Sequence, residues 1–211
     1  MAESKRYRRR MWWWIAAGIL IAVLVPVAII AVPILSHVPQ GSSGQVGATD
    51  GWPLSVTAKG DDGRTRVLTV AAEGGALDPS ALSSGQHLVV TGSGYDGSRG
   101  IYVAICVIVQ NGEKPHPCLG GVPDQEQQDV ATGTVQWAPS NWINDDWAWK
   151  LFGARSYDDQ SAGTFTAYLE VGDPVGPGVD CRKDACAVYT RNDHTALNDR
   201  VQDLHIPVGF K

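Results

Sequence analysis

The sequence lacks the patterns by which nucleic-acid-binding proteins and most metal-dependent proteins are recognised. No cluster of Lys and Arg follows Arg10, and residues 11–211 carry a formal charge of −9 in a chain whose net charge is −5. Binding to phosphate backbones needs clustered basic side chains, so nucleic acid is excluded as a partner. None of the five histidines has a neighbour at a metal-ligand spacing such as H-E-x-x-H. The sequence therefore predicts no metal site and no cofactor.

Patterns typical of catalysis are also missing. No G-x-S-x-G elbow is present, so no serine stands in a recognisable nucleophilic setting. His194 follows Asp193, and such a pair could orient an imidazole for base catalysis, but a solvated loop histidine is the favoured interpretation. The segment GSGYDG from Gly92 fits G-x-G-x-x-G, yet a strand pattern follows it where a dinucleotide site needs a helix. We interpret it as a glycine turn and expect a protein that is not an enzyme.

Three acidic pairs are the remaining candidates for chemistry, at residues 61–62, 145–146 and 158–159. None has the D-x-D-x-D-G rhythm of a calcium loop, and Asp followed shortly by Gly is ordinary turn chemistry. Solvated turns are therefore the favoured interpretation. Two carboxylates brought together by the fold, as in an exported hydrolase, remain an open alternative.

Formal charge is absent from a long stretch near the amino terminus. Residues 11–36, MWWWIAAGILIAVLVPVAIIAVPILS, form 26 consecutive uncharged positions, whereas a bilayer core needs about 20 apolar residues in a helix. The ten residues before this stretch carry +4. The positive-inside rule then predicts a cytoplasmic basic tail at residues 1–10, a transmembrane helix at residues 11–36, and a carboxyl-terminal domain outside the cytoplasmic membrane.

A cleaved signal sequence is the alternative to a retained anchor. Secretory signals usually have an apolar region of about 7 to 15 residues and a small-residue cleavage site. The apolar stretch is longer here, and no A-x-A site follows it. Residues 8–10, RRR, could belong to a twin-arginine signal, but the same stretch is unusually long and apolar for one. We favour a single-pass anchor, and both interpretations place the domain outside.

The rest of the chain predicts a linker followed by one all-β domain. Residues 37–51 are rich in Gly and Ser, which is typical of a flexible tether. In residues 52–211, short or alternating apolar segments separated by Gly, Asp, Pro and Ser favour a sandwich of about eight strands. The predicted strands are residues 54–58, 66–72, 87–92, 100–109, 131–137, 163–171, 186–190 and 205–210. Residues 141–152, NWINDDWAWKLF, could be a short helix or a long loop.

The four cysteines follow the apolar stretch, in what should be an oxidising compartment. An even number of cysteines there favours disulfides, and neither spacing gives the short C-x-x-C pair that zinc prefers. Three pairings are possible in principle. Cys106 and Cys118 are twelve residues apart, and Cys181 and Cys186 are five apart. Two local disulfides, Cys106–Cys118 and Cys181–Cys186, are therefore the most economical pairing.

Several motifs occur in an order that resembles a known family. These are VVTGSGY at residues 89–95, GIYVAIC at 100–106, GTF at 163–165, CRKDAC at 181–186 and IPVGF at 206–210. Together they resemble the neocarzinostatin-like domains of actinobacteria. The resemblance implies an immunoglobulin-like β-sandwich with two local disulfides over roughly residues 54–210. Some members of that family carry a chromophore in a cleft of the sandwich.

One segment departs from the family pattern. Between Cys118 and Cys181 the chain has 62 residues, which is long for the family. The excess includes the tryptophan-rich residues 141–149 and should lie near the cleft, so the resemblance implies no chromophore here.

The same segment supplies the best candidate site. Trp142, Trp147, Trp149 and Phe152 lie in a polar stretch at spacings that describe no single helical face. We interpret them either as packing over an open face of the sandwich or as a surface for a ligand, glycan or protein partner.

These observations predict a membrane-tethered, non-enzymatic module on the outer face of an actinobacterial-type cytoplasmic membrane. It would bind a partner, for example as an accessory subunit of a larger membrane complex. A carrier that holds a small apolar molecule in a cleft near Trp142 and Trp147 is the alternative. An exported hydrolase is the second alternative.

Overall fold

The computed structural model describes residues 2–46, 51–110, 112–120 and 135–211. It divides into two compact units, Met1–His37 and Val38–Lys211. The first unit is helix α1, Ala2–Leu35. In the described residues, one helical stretch is long and apolar enough to cross a membrane, Arg10–Val32, with 23 residues and a mean hydropathy of 3.0. At 1.5 Å per residue it would span about 35 Å, enough for a hydrocarbon core. A single-pass anchor is compatible with this helix, and its orientation stays a prediction.

The second unit is built almost entirely of strands. Its described part contains β1 Ser55–Lys59, β2 Thr65–Ala72, β3 His87–Ser93, β4 Ile101–Val107, β5 Ser140–Ile143, α2 Trp147–Lys150, β6 Phe165–Glu170, β7 Val175–Gly176, β8 Val179–Asp180, β9 Cys186–Asn192 and β10 His205–Val208. Strands β1, β2, β3 and β6 alternate between buried and less buried side chains, as in β1, where Val56 and Ala58 are buried between exposed neighbours.

Two antiparallel sheets form the sandwich. The first has the order β1-β2-β3-β6 and the second the order β10-β9-β4-β5, while β7 and β8 form a separate hairpin. The chain crosses from β3 in the first sheet to β4 in the second, returns to β6, and crosses again to β9. If β2 is taken as the first strand, the second strand, β3, pairs with the fifth, β6. The second and fifth strands also pair in an immunoglobulin fold. The predicted all-β, immunoglobulin-like sandwich is confirmed.

The core lies between the two sheets. Its side chains come from alternate positions of both sheets, and each fully buried Leu, Ile or Phe contributes roughly 1.5–3 kcal/mol. The largest apolar side chains with less than 2% exposure are Tyr95, Phe165, Leu68, Leu82, Leu88, Ile101, Ile143, Leu169, Leu204 and Ile206. The outer face of the second sheet is also partly covered, with Ala104, Cys106, Ala187 and Tyr189 buried there.

Both predicted disulfides are present. Cys106 is bonded to Cys118 and Cys181 to Cys186. The first attaches the loop after β4 back onto that strand, because Cys106 and Cys118 also form an isolated antiparallel bridge. The second closes the turn that leads into β9.

One predicted strand differs from the structure. Of residues 131–137, positions 131–134 lie outside the described residues, and positions 135–137 are irregular. The strand beside β4 is instead β5, Ser140–Ile143, which begins before and extends into residues 141–152, where the sequence predicts either a short helix or a long loop. All four β5 residues are buried, so they show none of the alternation that reveals a half-exposed strand. The remainder of that segment contains the short helix α2.

Residues 42–45, which the sequence assigns to the flexible linker, lie against the sandwich. The Ser42 amide donates to Asp61 Oδ2 at 2.7 Å. Gln45 Nε2 donates to the His205 carbonyl oxygen, and the His205 amide donates to Gln45 Oε1, both at 2.8 Å. Because β10 is the edge strand of its sheet, the Gln45 amide satisfies backbone groups that an edge leaves open. Composition alone does not reveal such contacts.

Candidate functional site

The tryptophan-rich segment is attached to the outer face of the second sheet. Trp142 on β5 lies opposite Tyr102 on β4, and Tyr102 lies opposite Arg191 on β9. The ring centroids of Trp142 and Tyr102 are 5.8 Å apart, and the Arg191 guanidinium lies 5.5 Å from the Tyr102 ring centroid. This cross-strand row of two aromatic rings and a cation covers the β9–β4–β5 part of the sheet.

A buried carboxylate fixes the end of this row. Asp193, at the end of β9, has 0% exposure. Its Oδ2 accepts hydrogen bonds from Trp142 Nε1 at 2.8 Å and Asn144 Nδ2 at 2.9 Å. Its Oδ1 accepts from the Thr195 amide at 2.8 Å. Charge-assisted hydrogen bonds of this kind are among the strongest in proteins, so Asp193 connects the β9–β10 loop to the segment after β5.

His194 completes an aromatic base beneath α2. Its Nδ1 lies 3.0 Å from the Tyr102 hydroxyl, and its ring centroid lies 4.5 Å from that of Trp149 and 5.2 Å from that of Trp142. Burial, and then the charge of Asp193, raise the pKa of Tyr102 to about 12. The hydroxyl therefore stays protonated at neutral pH and can donate to His194. We call Tyr102, Trp142, Trp149 and His194 the aromatic base.

Helix α2 and the two residues that follow it present large apolar side chains to solvent. Asp146 begins the helix by accepting a hydrogen bond from the Ala148 amide, 2.9 Å from Oδ1. Trp147 is 68% exposed, Leu151 72% and Phe152 53%. We call these three side chains the α2 surface. Trp149 connects the aromatic base to this surface, because its ring centroid lies 6.3 Å from that of Phe152.

The four residues predicted from the sequence thus divide into two groups. Trp142 and Trp149 belong to the aromatic base, whereas Trp147 and Phe152 belong to the α2 surface. Sequence reasoning missed Leu151, whose only signal is its position between Lys150 and Phe152. It also missed Tyr102 as a neighbour of Trp142, because their contact depends on the β4–β5 register.

A polar cavity of about 30 Å³ lies elsewhere, beneath residues 42–45. It is lined by Ser42, Ser43, Gln45, Val109, Gln110, Gly112, Glu113, Pro115, Tyr189, Arg200, Asp203 and His205. Two buried side-chain atoms in its wall, Asp203 Oδ1 and His205 Nε2, have no hydrogen-bond partner among the described residues. Its volume suits a water molecule or one small polar group.

The charges around this cavity are perturbed by burial. Burial raises the pKa of Asp203 to about 7, although the charges of Arg200 and Arg191 oppose the shift. Arg200 Nη1 lies 2.7 Å from Asp203 Oδ2. Burial also lowers the pKa of His205. At neutral pH the wall therefore offers a neutral imidazole and a carboxyl group near its midpoint of ionisation.

The acidic pairs lie in turns and loops. Asp62 accepts two hydrogen bonds from the buried Arg66 guanidinium, at 3.0 and 2.6 Å. Asp145 pairs with Lys150 at 2.9 Å, and Asp159 Oδ1 accepts from the Ser161 amide at 2.8 Å. In the part of the chain that the structure describes, no three His, Cys, Asp or Glu side chains are grouped to hold a metal ion.

Comparison with known proteins found a curated relative and a solved structure that each match part of the chain. No family model matches the chain. Over 136 residues it is 29% identical to the thiamine biosynthesis protein X of Corynebacterium glutamicum. The match covers 64% of this chain and 60% of that protein, so the chain spans about 60% of its relative's length.

The solved structure is that of macromomycin. It shares 18% identity and has a TM-score of 0.35, covering 68% of this chain and 99% of macromomycin. The neocarzinostatin-like resemblance stays a prediction from the motifs.

Proposed function

We propose that this protein is a membrane-tethered, non-enzymatic binding module outside the cytoplasm, and that the α2 surface is where it binds another component of the membrane. The observation that carries the proposal is the exposure of Trp147, Leu151 and Phe152 on a fixed aromatic base. Large apolar side chains exposed within one short segment are typical of interaction sites.

Rigid support makes these side chains suitable for binding. Trp149 packs against His194 and Trp142, and Trp142 is hydrogen-bonded to Asp193. Because the base is ordered before contact, binding loses little conformational entropy there. Trp is enriched among residues that contribute most to binding energy, so Trp147 is the expected anchor.

Two features support a location outside the cytoplasm with attachment to the membrane. Disulfides persist in oxidising compartments, and both cysteine pairs are bonded. The apolar stretch Arg10–Val32 is long enough to hold the chain in a bilayer. The basic tail favours an orientation with the amino terminus inside.

Thiol labelling in intact cells tests the proposal. A Leu151→Cys variant of the full chain places one free thiol on the α2 surface, and a membrane-impermeant maleimide reports its exposure. We expect slow labelling in cells, because the bound component covers the surface. Labelling should become fast when the purified protein is unfolded in urea.

An Ala76→Cys variant is the matched control. Ala76 is exposed in the β2–β3 loop, which follows the end of β2 at Ala72. The turn that contains Asp61 precedes the other end of β2, at Thr65, so Ala76 and that turn lie at opposite ends of the strand. It should label rapidly in cells and in urea. If the Leu151→Cys variant labels as fast as this control in cells, the α2 surface is unoccupied and the proposal is wrong.

Small-molecule binding in the polar cavity is a second candidate function. The unpartnered Asp203 Oδ1 and His205 Nε2 favour it, since an amino group could satisfy both. The name of the relative, which refers to thiamine biosynthesis, suggests thiamine as the first probe, with only its amino group entering a cavity of about 30 Å³. We expect thiamine to raise the melting temperature of the full-length protein and to lose this effect in Asp203→Asn. No shift with thiamine in the wild type would remove it as a ligand.

A further inference from the structure

We infer that the α2 surface inserts into the headgroup region of the bilayer, so that the sandwich has a second contact with the membrane besides α1. This inference rests on the proposed function and names the partner of the same surface. It follows from the chemistry of that surface and from the place where the chain enters the sandwich.

The composition around α2 is typical of membrane interfaces. Trp, Phe and Leu side chains in an interface bury apolar area at the headgroup level. Trp147, Leu151 and Phe152 are the exposed large apolar residues of this segment, and Lys150 lies among them. Lys150 Nζ pairs with Asp145 at 2.9 Å, so its charge is balanced. Contact should therefore depend on apolar burial and not on anionic lipid.

The sandwich receives the chain from α1 at the end that carries α2. Ser42 is hydrogen-bonded to Asp61, in the β1–β2 turn, and forms a parallel bridge with Arg200, in the β9–β10 loop. The same loop contains His194, whose ring packs against Trp149 of α2. Both the entry of the chain and the α2 surface therefore lie at the end of the sandwich where β9 ends and β10 begins.

The intervening chain is short. Helix α1 ends at Leu35, and Ser42 is hydrogen-bonded within the second unit. Residues 36–41 between them can extend over at most about 25 Å. If α1 crosses a bilayer, this length keeps the end of the sandwich that carries α2 within reach of the lipid surface. A protein partner distant from the bilayer would not require the α2 surface to lie near the lipid.

Depth-dependent quenching in lipid vesicles tests the inference. The full-length Leu151→Cys variant, labelled with the fluorophore NBD, is reconstituted into vesicles of phosphatidylcholine alone. We expect nitroxide groups attached to the lipids to remove most of its fluorescence. The labelled Ala76→Cys variant should lose little. Adding Trp147→Ala to the Leu151→Cys variant should weaken the quenching.

The outcomes separate this inference from the proposed function. If lipid nitroxides do not quench the label at position 151, yet that position is protected in cells, the partner is a protein and the lipid inference is overturned. If position 151 is exposed both in vesicles and in cells, the inference and the proposed function both fail. Quenching in pure lipid together with protection in cells supports both.

Discussion

At the scale of single residues, Asp193 connects two parts of the chain that are distant in sequence. Its carboxylate accepts hydrogen bonds from Trp142, Asn144 and Thr195. A Cβ atom on Gly100 would lie 1.8 Å from Asp193 Oδ2, so only glycine leaves room for the carboxylate. The sequence favours a solvated His194 over a catalytic Asp193–His194 pair, but folding directs the Asp193 carboxylate to Trp142 and packs the His194 ring against Trp149. The partner of the Asp193 carboxylate is determined by contacts between residues distant in sequence, and the spacing of neighbouring residues does not reveal them.

Replacing Asp193 tests this connection. We expect Asp193→Ala to lower the free energy of unfolding by about 2–4 kcal/mol, because the Trp142 and Asn144 donors would remain buried without an acceptor. Urea denaturation followed by fluorescence measures the loss. Trp147→Ala is the control and should change stability little, since its side chain is mostly exposed. Equal stability of the wild type and Asp193→Ala would contradict the role assigned to this carboxylate.

Asp203 should make stability depend on pH. Its pKa is about 7 in the folded protein and about 3.9 in an unfolded chain. Between these values the folded state binds more protons, so the free energy of unfolding falls as pH rises. Asp203→Asn cannot ionise and should lack this fall.

The difference between wild type and Asp203→Asn isolates the effect, because the opposite contribution of His205 is present in both proteins. We expect the stability of the wild type relative to the variant to decrease by about 3 kcal/mol between pH 4 and about pH 7, and to level off above about pH 8. Thermal denaturation across this range measures it. A constant or rising difference would show that Asp203 is ionised in the folded protein well below pH 7.

At the scale of elements, predictability follows the exposure of each strand. Strands β1, β2, β3 and β6 alternate between buried and less buried positions, and the sequence predicts them within a few residues. Strand β5 is buried on both faces and was missed. The short hairpin of β7 and β8 was missed as well, because two residues per strand give no periodic pattern.

The Cys106–Cys118 disulfide is the element-scale feature with the clearest energetic consequence. It holds the loop after β4 that supplies Val109, Glu113 and Pro115 to the cavity wall. Replacing both cysteines by Ala should lower the free energy of unfolding by about 2–4 kcal/mol, since the unfolded chain gains freedom. Amide hydrogen exchange should also become faster in residues 108–118. Unchanged melting and unchanged exchange would contradict a structural role for this disulfide.

At the scale of the whole molecule, the sequence predicts two parts well, namely an apolar helix and a disulfide-bonded sandwich. It does not predict how far the tether is free. Gly and Ser in residues 37–51 favour a flexible linker, yet Ser42 and Gln45 are hydrogen-bonded to the sandwich. Gln45 and His205 are 160 positions apart in the chain. Their pairing depends on where folding places the edge strand β10, which the local sequence does not show.

The most direct test of the central claim, a tethered module outside the cytoplasm, is protease treatment of intact spheroplasts followed by mass spectrometry. A protease that cannot cross the membrane should release fragments from the sandwich, with both disulfides oxidised, and should leave the amino-terminal tail protected. The protein should also stay in the membrane fraction after a high-salt wash. Complete protection of the sandwich with reduced cysteines, or recovery of the protein as a soluble chain, would contradict the account.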